Sequence, residues 1–232
     1  MPVTTYRQPM DRSDPAYRGQ RDYNRLLLSV YDPIVVGQVV PRVWGCPPEV
    51  VFRMYRDRIR VPHLDVGPGT GIGIDKAGLP DGSPITLVDP NTNVLSVASK
   101  RLQRFDLTLV EADVLKPLPV TGPFQSAGLN AVLHCLPGPK ERKALAVANI
   151  AAVLAPDGVL FGVTVLGRSA PHNRVGRALL QVFNRQGGFD NLDDSEASTR
   201  EILEAAFQEV EITVVGTVAC FVATHPRSPA TA

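Results

Sequence analysis

The stretch "HLDVGPGTGIGID", His63–Asp75, decides the fold. A short apolar run leads into it, and an acid, Asp65, stands just ahead of the first glycine. Glycines then fall at alternate positions: Gly67, Gly69, Gly71 and Gly73. Without a Cβ, such a backbone can turn sharply and approach a ligand closely. Two well-known glycine loops do not fit. The dinucleotide fingerprint needs glycines at relative positions one, three and six. Counted from Gly67 the sixth residue is Ile72, and from Gly69 it is Ile74. A phosphate loop closes on Gly-Lys-Ser/Thr, and that triplet does not occur in the sequence. What remains is acid-x-Gly-x-Gly-x-Gly at the end of a strand.

Working outward, strand-like runs alternate with helical ones. The strands are expected at residues 61–66, 84–89, 106–113, 124–133 and 158–166. Between them, "NVLSVASKRL" carries Val94, Val97, Ala98 and Leu102 on one stripe, and "KERKALAVANIAAVLAPDG" ends in a Pro-Asp-Gly stop. This alternation implies a parallel sheet with both faces covered. Beyond the fifth strand come an amphipathic helix in "PHNRVGRALLQVFNRQGG", a helix in "STREILEAAF" with a Ser198–Glu201 capping box, and two strands, 210–216 and 218–224, set to form a hairpin. Ahead of the first strand, residues 1–20 read as a mobile polar arm. "NRLLLSVYDP" and "PPEVVFRMYRDRI" read as helices, the second with Val50, Val51, Met54 and Tyr55 on one face. The division expected is an N-terminal arm and helical lid over 1–60, a core over 61–225 with a helical insertion at about 170–192, and a tail over 226–232.

The totals set bounds. The chain has 232 residues, 44% of them apolar, and a net charge of +1. That supports a real core and gives no general reason to expect a nucleic-acid partner. Residues 1–60 hold ten arginines against six acids, but Tyr6, Tyr17, Leu26 and Val30 interrupt them, so a solvated helical face is expected there. Three cysteines without metal or redox spacing suit a reducing, cytoplasmic compartment. No apolar run is long enough for a membrane span, and a monomer or homodimer is expected.

The glycine pattern resembles motif I of the class I S-adenosylmethionine (SAM)-dependent methyltransferases. Other segments resemble the family in the correct order. Asp89 ends the second strand, 22 residues after Gly67, where a carboxylate can reach ribose hydroxyls. Asp113 ends the third, in "EADVL". "GLNAVLHCLPG" follows the fourth, "VLAPDGVL" precedes the fifth, and the terminal hairpin closes the series. "YDP", "HLDVGPGTG", "LHCLPG" and "FDNLDD" are similar to small YbcY-type methyltransferases. The resemblance implies a Rossmann-like α/β fold, mostly parallel, with an antiparallel last strand and an N-terminal helical extension. It implies SAM as cofactor, held by Tyr31, Asp65, Gly67, Pro68, Gly69, Thr70, Gly71, Asp89, Pro90, Asn91, Asp113, Val114, Asn130 and Ala131. A small-molecule acceptor would be methylated by in-line displacement.

His134 is the candidate catalytic residue, as a general base or a substrate-orienting group; a buried histidine bonded to backbone is the other reading. Trp44, His172, Phe183 and Phe189 are candidate acceptor-pocket residues, with core packing as the alternative. His63 reads as structural. The acids of "FDNLDDSE" read as a solvated loop or helix start, with no metal expected. Rival functions are a SAM-binding protein catalysing a non-methylating, pericyclase-like reaction, an NAD(P)-dependent oxidoreductase, and a methyltransferase of RNA or protein. The Asn130-Ala131-Val132-Leu133 sequence departs from the Asn-Pro-Pro-Tyr type common in nucleic-acid enzymes.

Overall fold

The computed structural model describes residues 4–8, 37 and 39–227. Tyr31, the helix expected in 24–33 and most of the N-terminal arm lie outside the described residues. The strands are β1 (Thr4–Arg7), β2 (His63–Val66), β3 (Pro84–Val88), β4 (Asp106–Glu111), β5 (Phe124–Asn130), β6 (Leu154–Val165), β7 (Phe207–Val215) and β8 (Val218–Pro226). The helices are α1 (Val40–Val43), α2 (Pro48–Arg58), α3 (Ile72–Asp75), α4 (Thr92–Arg101), α5 (Lys140–Ala151), α6 (Arg174–Gln186) and α7 (Glu196–Glu204). A 3₁₀ turn, Leu133–Cys135, follows β5.

One sheet holds all eight strands, in the order β1-β4-β3-β2-β5-β6-β8-β7. Its first six are parallel, β8 runs antiparallel to β6, and β7 pairs antiparallel with β8. The chain builds outward from β2 through β3 to β4, then crosses back to place β5 on the other side of β2. That reversal opens a crevice at the carboxyl end of β2, where ligands of such sheets bind.

The period-two alternation of β2 sorts its side chains between the layers. Leu64 and Val66 enter a core shared with Val147 and Ile150 of α5 and with Ile202 and Leu203 of α7. His63 and Asp65 point to the opposite face. There Tyr55 of α2 packs with Ile74, Ile85, Leu87, Leu102 and Phe161. A third cluster joins Trp44, Cys46, Val163, Leu180 and Cys220 at the β6–β8 side.

Local chemistry sets the helix ends. Asn91 caps α4 by accepting from Asn93 N (2.9 Å), and Asn173 caps α6 by accepting from Gly176 N (2.7 Å). Several boundaries differ from those read in the sequence. Residues 4–7, expected in a mobile arm, form the edge strand β1 beside β4, and Arg7 pairs with Glu111 at 2.5 Å. The capping box belongs to Ser195 and Ser198, not to Ser198 and Glu201, so α7 starts one turn earlier. Pro156-Asp157-Gly158 does not stop α5; it lies within β6, where the pairing with β5 shifts register. Among the described residues no helix is long and apolar enough to cross a membrane.

Candidate active site

The loops after β2, β3, β4 and β5 open on one cavity of about 240 Å³. Gly67–Thr70, Asp89–Asn91, Ala112–Val114 and Asn130–Val132 form one wall. Val163, the strand partner of Asn130, and Leu136 lie on the same side, and Val40 with Pro48, Val51, Phe52 and Tyr55 of α2 complete the lining. Gly67 has φ +68°, and a Cβ there would lie 2.5 Å from Val132 Cγ2. The loops after β2 and β5 are therefore pressed together at the cavity mouth, a close approach that only glycine permits.

The carboxylates on this wall are held, not free. Asp89 Oδ1 accepts from Asn91 N at 2.7 Å, and Asp113 Oδ1 accepts from Leu115 N at 2.9 Å. Burial pushes the Asp89 carboxyl up to about 7, and the Asn91 N–H opposes this only in part. Thr70 Oγ1 accepts from Arg101 at 2.8 Å.

Beneath the wall lies a buried polar layer. Asp65 Oδ2 accepts from the Tyr55 hydroxyl (2.8 Å) and faces His63 Nε2 (3.2 Å). Asn130 Nδ2 donates to the Tyr55 oxygen at 3.0 Å. His63 Nδ1 meets Ser126 Oγ (2.7 Å), and Ser126 is tied to the backbone of Arg60 through both N–H and C=O. Burial and the Asp65 charge hold the Tyr55 phenol well above its ordinary value, so it remains a donor. Two acceptors in this layer, Asp65 Oδ1 and Asn130 Oδ1, are buried without a hydrogen-bond partner among the described residues. Each orphaned oxygen costs about 1–3 kcal/mol, so a donor that reached either one would relieve a real penalty; of the two residues, Asn130 lines the cavity.

Residues 64–162 match the family model described as a methyltransferase domain. Over 202 residues the chain is 38% identical to demethylluteothin O-methyltransferase of Streptomyces thioluteus, covering 86% of this chain and 88% of that one. The chain belongs to the class I SAM-dependent methyltransferases. The methyltransferase is also 36% identical over 188 residues to the YbcY protein of Escherichia coli K12, covering 79% of this chain and 96% of YbcY. The CurJ carbon methyltransferase superposes with a TM-score of 0.66 at 14% identity, over 93% of this chain and 64% of that one, which shows the shared fold. The protein is thus an enzyme that uses SAM to methylate a small molecule.

In this methyltransferase eleven of the expected cofactor residues line the cavity: Gly67, Pro68, Gly69, Thr70, Asp89, Pro90, Asn91, Asp113, Val114, Asn130 and Ala131. Gly71 does not. It caps α3 with φ +77°, and a Cβ there would press on Leu102. Asp65 lies in the polar layer below, fully buried.

The expected catalytic and acceptor residues sit elsewhere. His134 is buried; its Nδ1 accepts from Val165 N at 3.1 Å, and burial drives its pKa down to about 3. Its ring packs on Phe189 with centroids 4.4 Å apart. Trp44, His172, Phe183 and Phe189 join it in an aromatic cluster outside the cavity wall, with Trp44–His172 at 5.6 Å and Phe183–Phe189 at 5.0 Å. His172 Nε2 bonds to the carbonyls of Leu166 and Gly167.

The acidic run is not simply a solvated loop. Asp193 pairs with Arg168 at the surface, but Asp190 Oδ2 accepts from Gly138 N (2.7 Å). Asp194 holds the buried Lys143 ammonium (2.6 Å), and Asn191 bonds to Val165 O (2.8 Å). Among the described residues no group of three His, Cys, Asp or Glu is placed to hold a metal.

Sequence reasoning missed Pro48, Val51, Phe52 and Tyr55 as cavity residues. Their spacing, i, i+3, i+4 and i+7, marks one face of a helix. Nothing in the sequence alone says whether such a face meets core or ligand. A tyrosine at the end of an apolar stripe was the only hint.

Proposed function

We propose that the enzyme transfers the methyl group of SAM to an oxygen of an apolar natural-product acceptor. The observation that carries this is the mixed lining of the cavity, with carboxylates and glycine loops of the sheet edge beside apolar Val40, Pro48, Val51, Phe52, Leu136 and Val163. The relative from Streptomyces thioluteus supports oxygen as the methylated atom.

SAM supplies a methyl carbon already activated by its sulfonium. The chain's residues bind, orient and dry the site. Asp89 accepts from the ribose hydroxyls. Asp113 and the Val114 N–H face the adenine. The Gly67–Thr70 backbone would hold the methionine portion, and the unpaired Asp65 Oδ1 and Asn130 Oδ1 would receive its ammonium. The apolar wall places the acceptor and excludes water, and such alignment is worth roughly 7–11 kcal/mol. Cys135 lines this end with its thiol pushed up to about 12 by burial, so it stays neutral and contributes packing. Cys46, Cys135 and Cys220 are all free thiols, which suits a cytoplasmic enzyme.

The test is an assay of purified enzyme with SAM and a panel of phenolic, enolic and amine acceptors. Mass spectrometry reads S-adenosylhomocysteine and the methylated product. Methoxy products from apolar hydroxyl acceptors are expected. Turnover confined to amine or carbon acceptors would overturn the assignment to oxygen.

A further inference from the structure

We infer that Tyr55 is a positioning residue for the amino-acid end of the cofactor, acting through Asp65 and Asn130; this rests on the cofactor reading above. The hydroxyl of Tyr55 has one proton and spends it on Asp65 Oδ2 at 2.8 Å. Its oxygen can then only accept, and it takes a proton from Asn130 Nδ2 at 3.0 Å. Both choices are forced by donor and acceptor counting. Together they fix which way two neighbouring groups face. Asp65 commits Oδ2 to the protein and leaves Oδ1 buried without a partner among the described residues. Asn130 commits its nitrogen and leaves Oδ1 open. A pair of unpaired acceptors, one of them anionic, is a receptor for a cationic N–H group. Tyr55 is the residue that holds the pair in that orientation.

The surrounding sequence is shaped to admit this ring. Gly73 is the fourth alternate glycine of the loop and has no place in the three-glycine motif. A Cβ on Gly73 would stand 2.2 Å from Tyr55 Cε2. Gly128 makes similar room for Asp65, since a Cβ there would stand 2.6 Å from Oδ2. Phe161 meets the Tyr55 ring edge-on at 5.1 Å and His63 stacks on Phe161 at 5.9 Å, so the phenol has little freedom. Tyr55 also sits on α2, the helix whose Val51 and Phe52 line the apolar wall. One helix therefore carries both acceptor-facing residues and the anchor of the cofactor's ammonium site.

The test compares two probes. S-adenosylhomocysteine carries the amino-acid tail, and 5′-methylthioadenosine lacks it. Calorimetric titration of Tyr55→Phe should show S-adenosylhomocysteine bound about tenfold more weakly than by the wild type. Methylthioadenosine should bind within about twofold of it. The KM for SAM should rise more than kcat falls. A merely structural tyrosine would change both probes alike, or neither, and either result overturns the proposal. If Tyr55→Phe melts before titration, Asn130→Ala carries the same two-probe comparison with the same expected selectivity. Wild-type protein that binds neither probe would sink the cofactor reading itself, which separates that failure from this one.

Discussion

In the proposed cofactor site, Asp89 is a residue that works against the fold. Its carboxyl is buried, and its pKa is raised from 3.8 to about 7. The unfolded chain therefore ionises first, and native stability falls as pH rises from about 4 to about 7. In the proposed reading the ionised form accepts the ribose hydroxyls, so cofactor affinity should rise over the upper part of that window. We expect S-adenosylhomocysteine affinity to increase as pH is raised through about 7. In Asp89→Asn the dependence should flatten, and binding at pH 8 should weaken by about tenfold. The same variant should melt higher than the wild type at pH 8, with the gap closing towards pH 4. Calorimetry and thermal melts across pH check both. A pH-independent affinity in the wild type would contradict the role given to this carboxylate. Asp89 was legible in the sequence because its distance from the glycine loop is set by one strand–helix–strand unit. For His134 the sequence left two readings open, because a histidine just past a strand can point either way. Here Thr164 and the Val165 N–H draw it inward.

At the scale of elements, the parallel strands and their helices were readable from apolar runs and turn residues, since burial on both faces leaves strong hydrophobic patterns. The edge strand β1 was not. Thr4–Arg7 is polar and exposed, and its place beside β4 depends on pairing across more than a hundred residues of chain. The aromatic cluster was seen as residues but not as a unit. Trp44, His134, His172, Phe183 and Phe189 come from four separate segments and pack together beside β6, away from the cavity wall. They should therefore govern stability more than catalysis. Phe189→Ala is expected to cost about 3 kcal/mol of stability, read by chemical denaturation. S-adenosylhomocysteine affinity of the folded variant should stay within about twofold. A variant with normal stability and a large rise in the acceptor KM would return Phe189 to the acceptor site.

Across the whole molecule, the position of the site follows from topology. The reversal at β2 brings the loops after four parallel strands to one edge, and the chain's acids and glycines at those loops become neighbours though they span residues 67–132. Sequence order alone predicts this, because right-handed crossovers leave few other arrangements. The helical lid expected over 1–60 did not disclose which of its residues face the cavity, for the complementary reason. Helix α2 precedes β2 and belongs to no repeating unit, so its placement is decided by tertiary packing of Tyr55 against Gly73, His63 and Phe161. The most direct test is a crystal structure grown with S-adenosylhomocysteine. The account predicts the ribose on Asp89, the adenine beside Asp113 and Val114, and the ammonium within hydrogen-bond reach of Asp65 Oδ1 and Asn130 Oδ1. A nucleoside seated on the Trp44–Phe189 cluster, or no nucleoside at the sheet edge under saturating ligand, would contradict it.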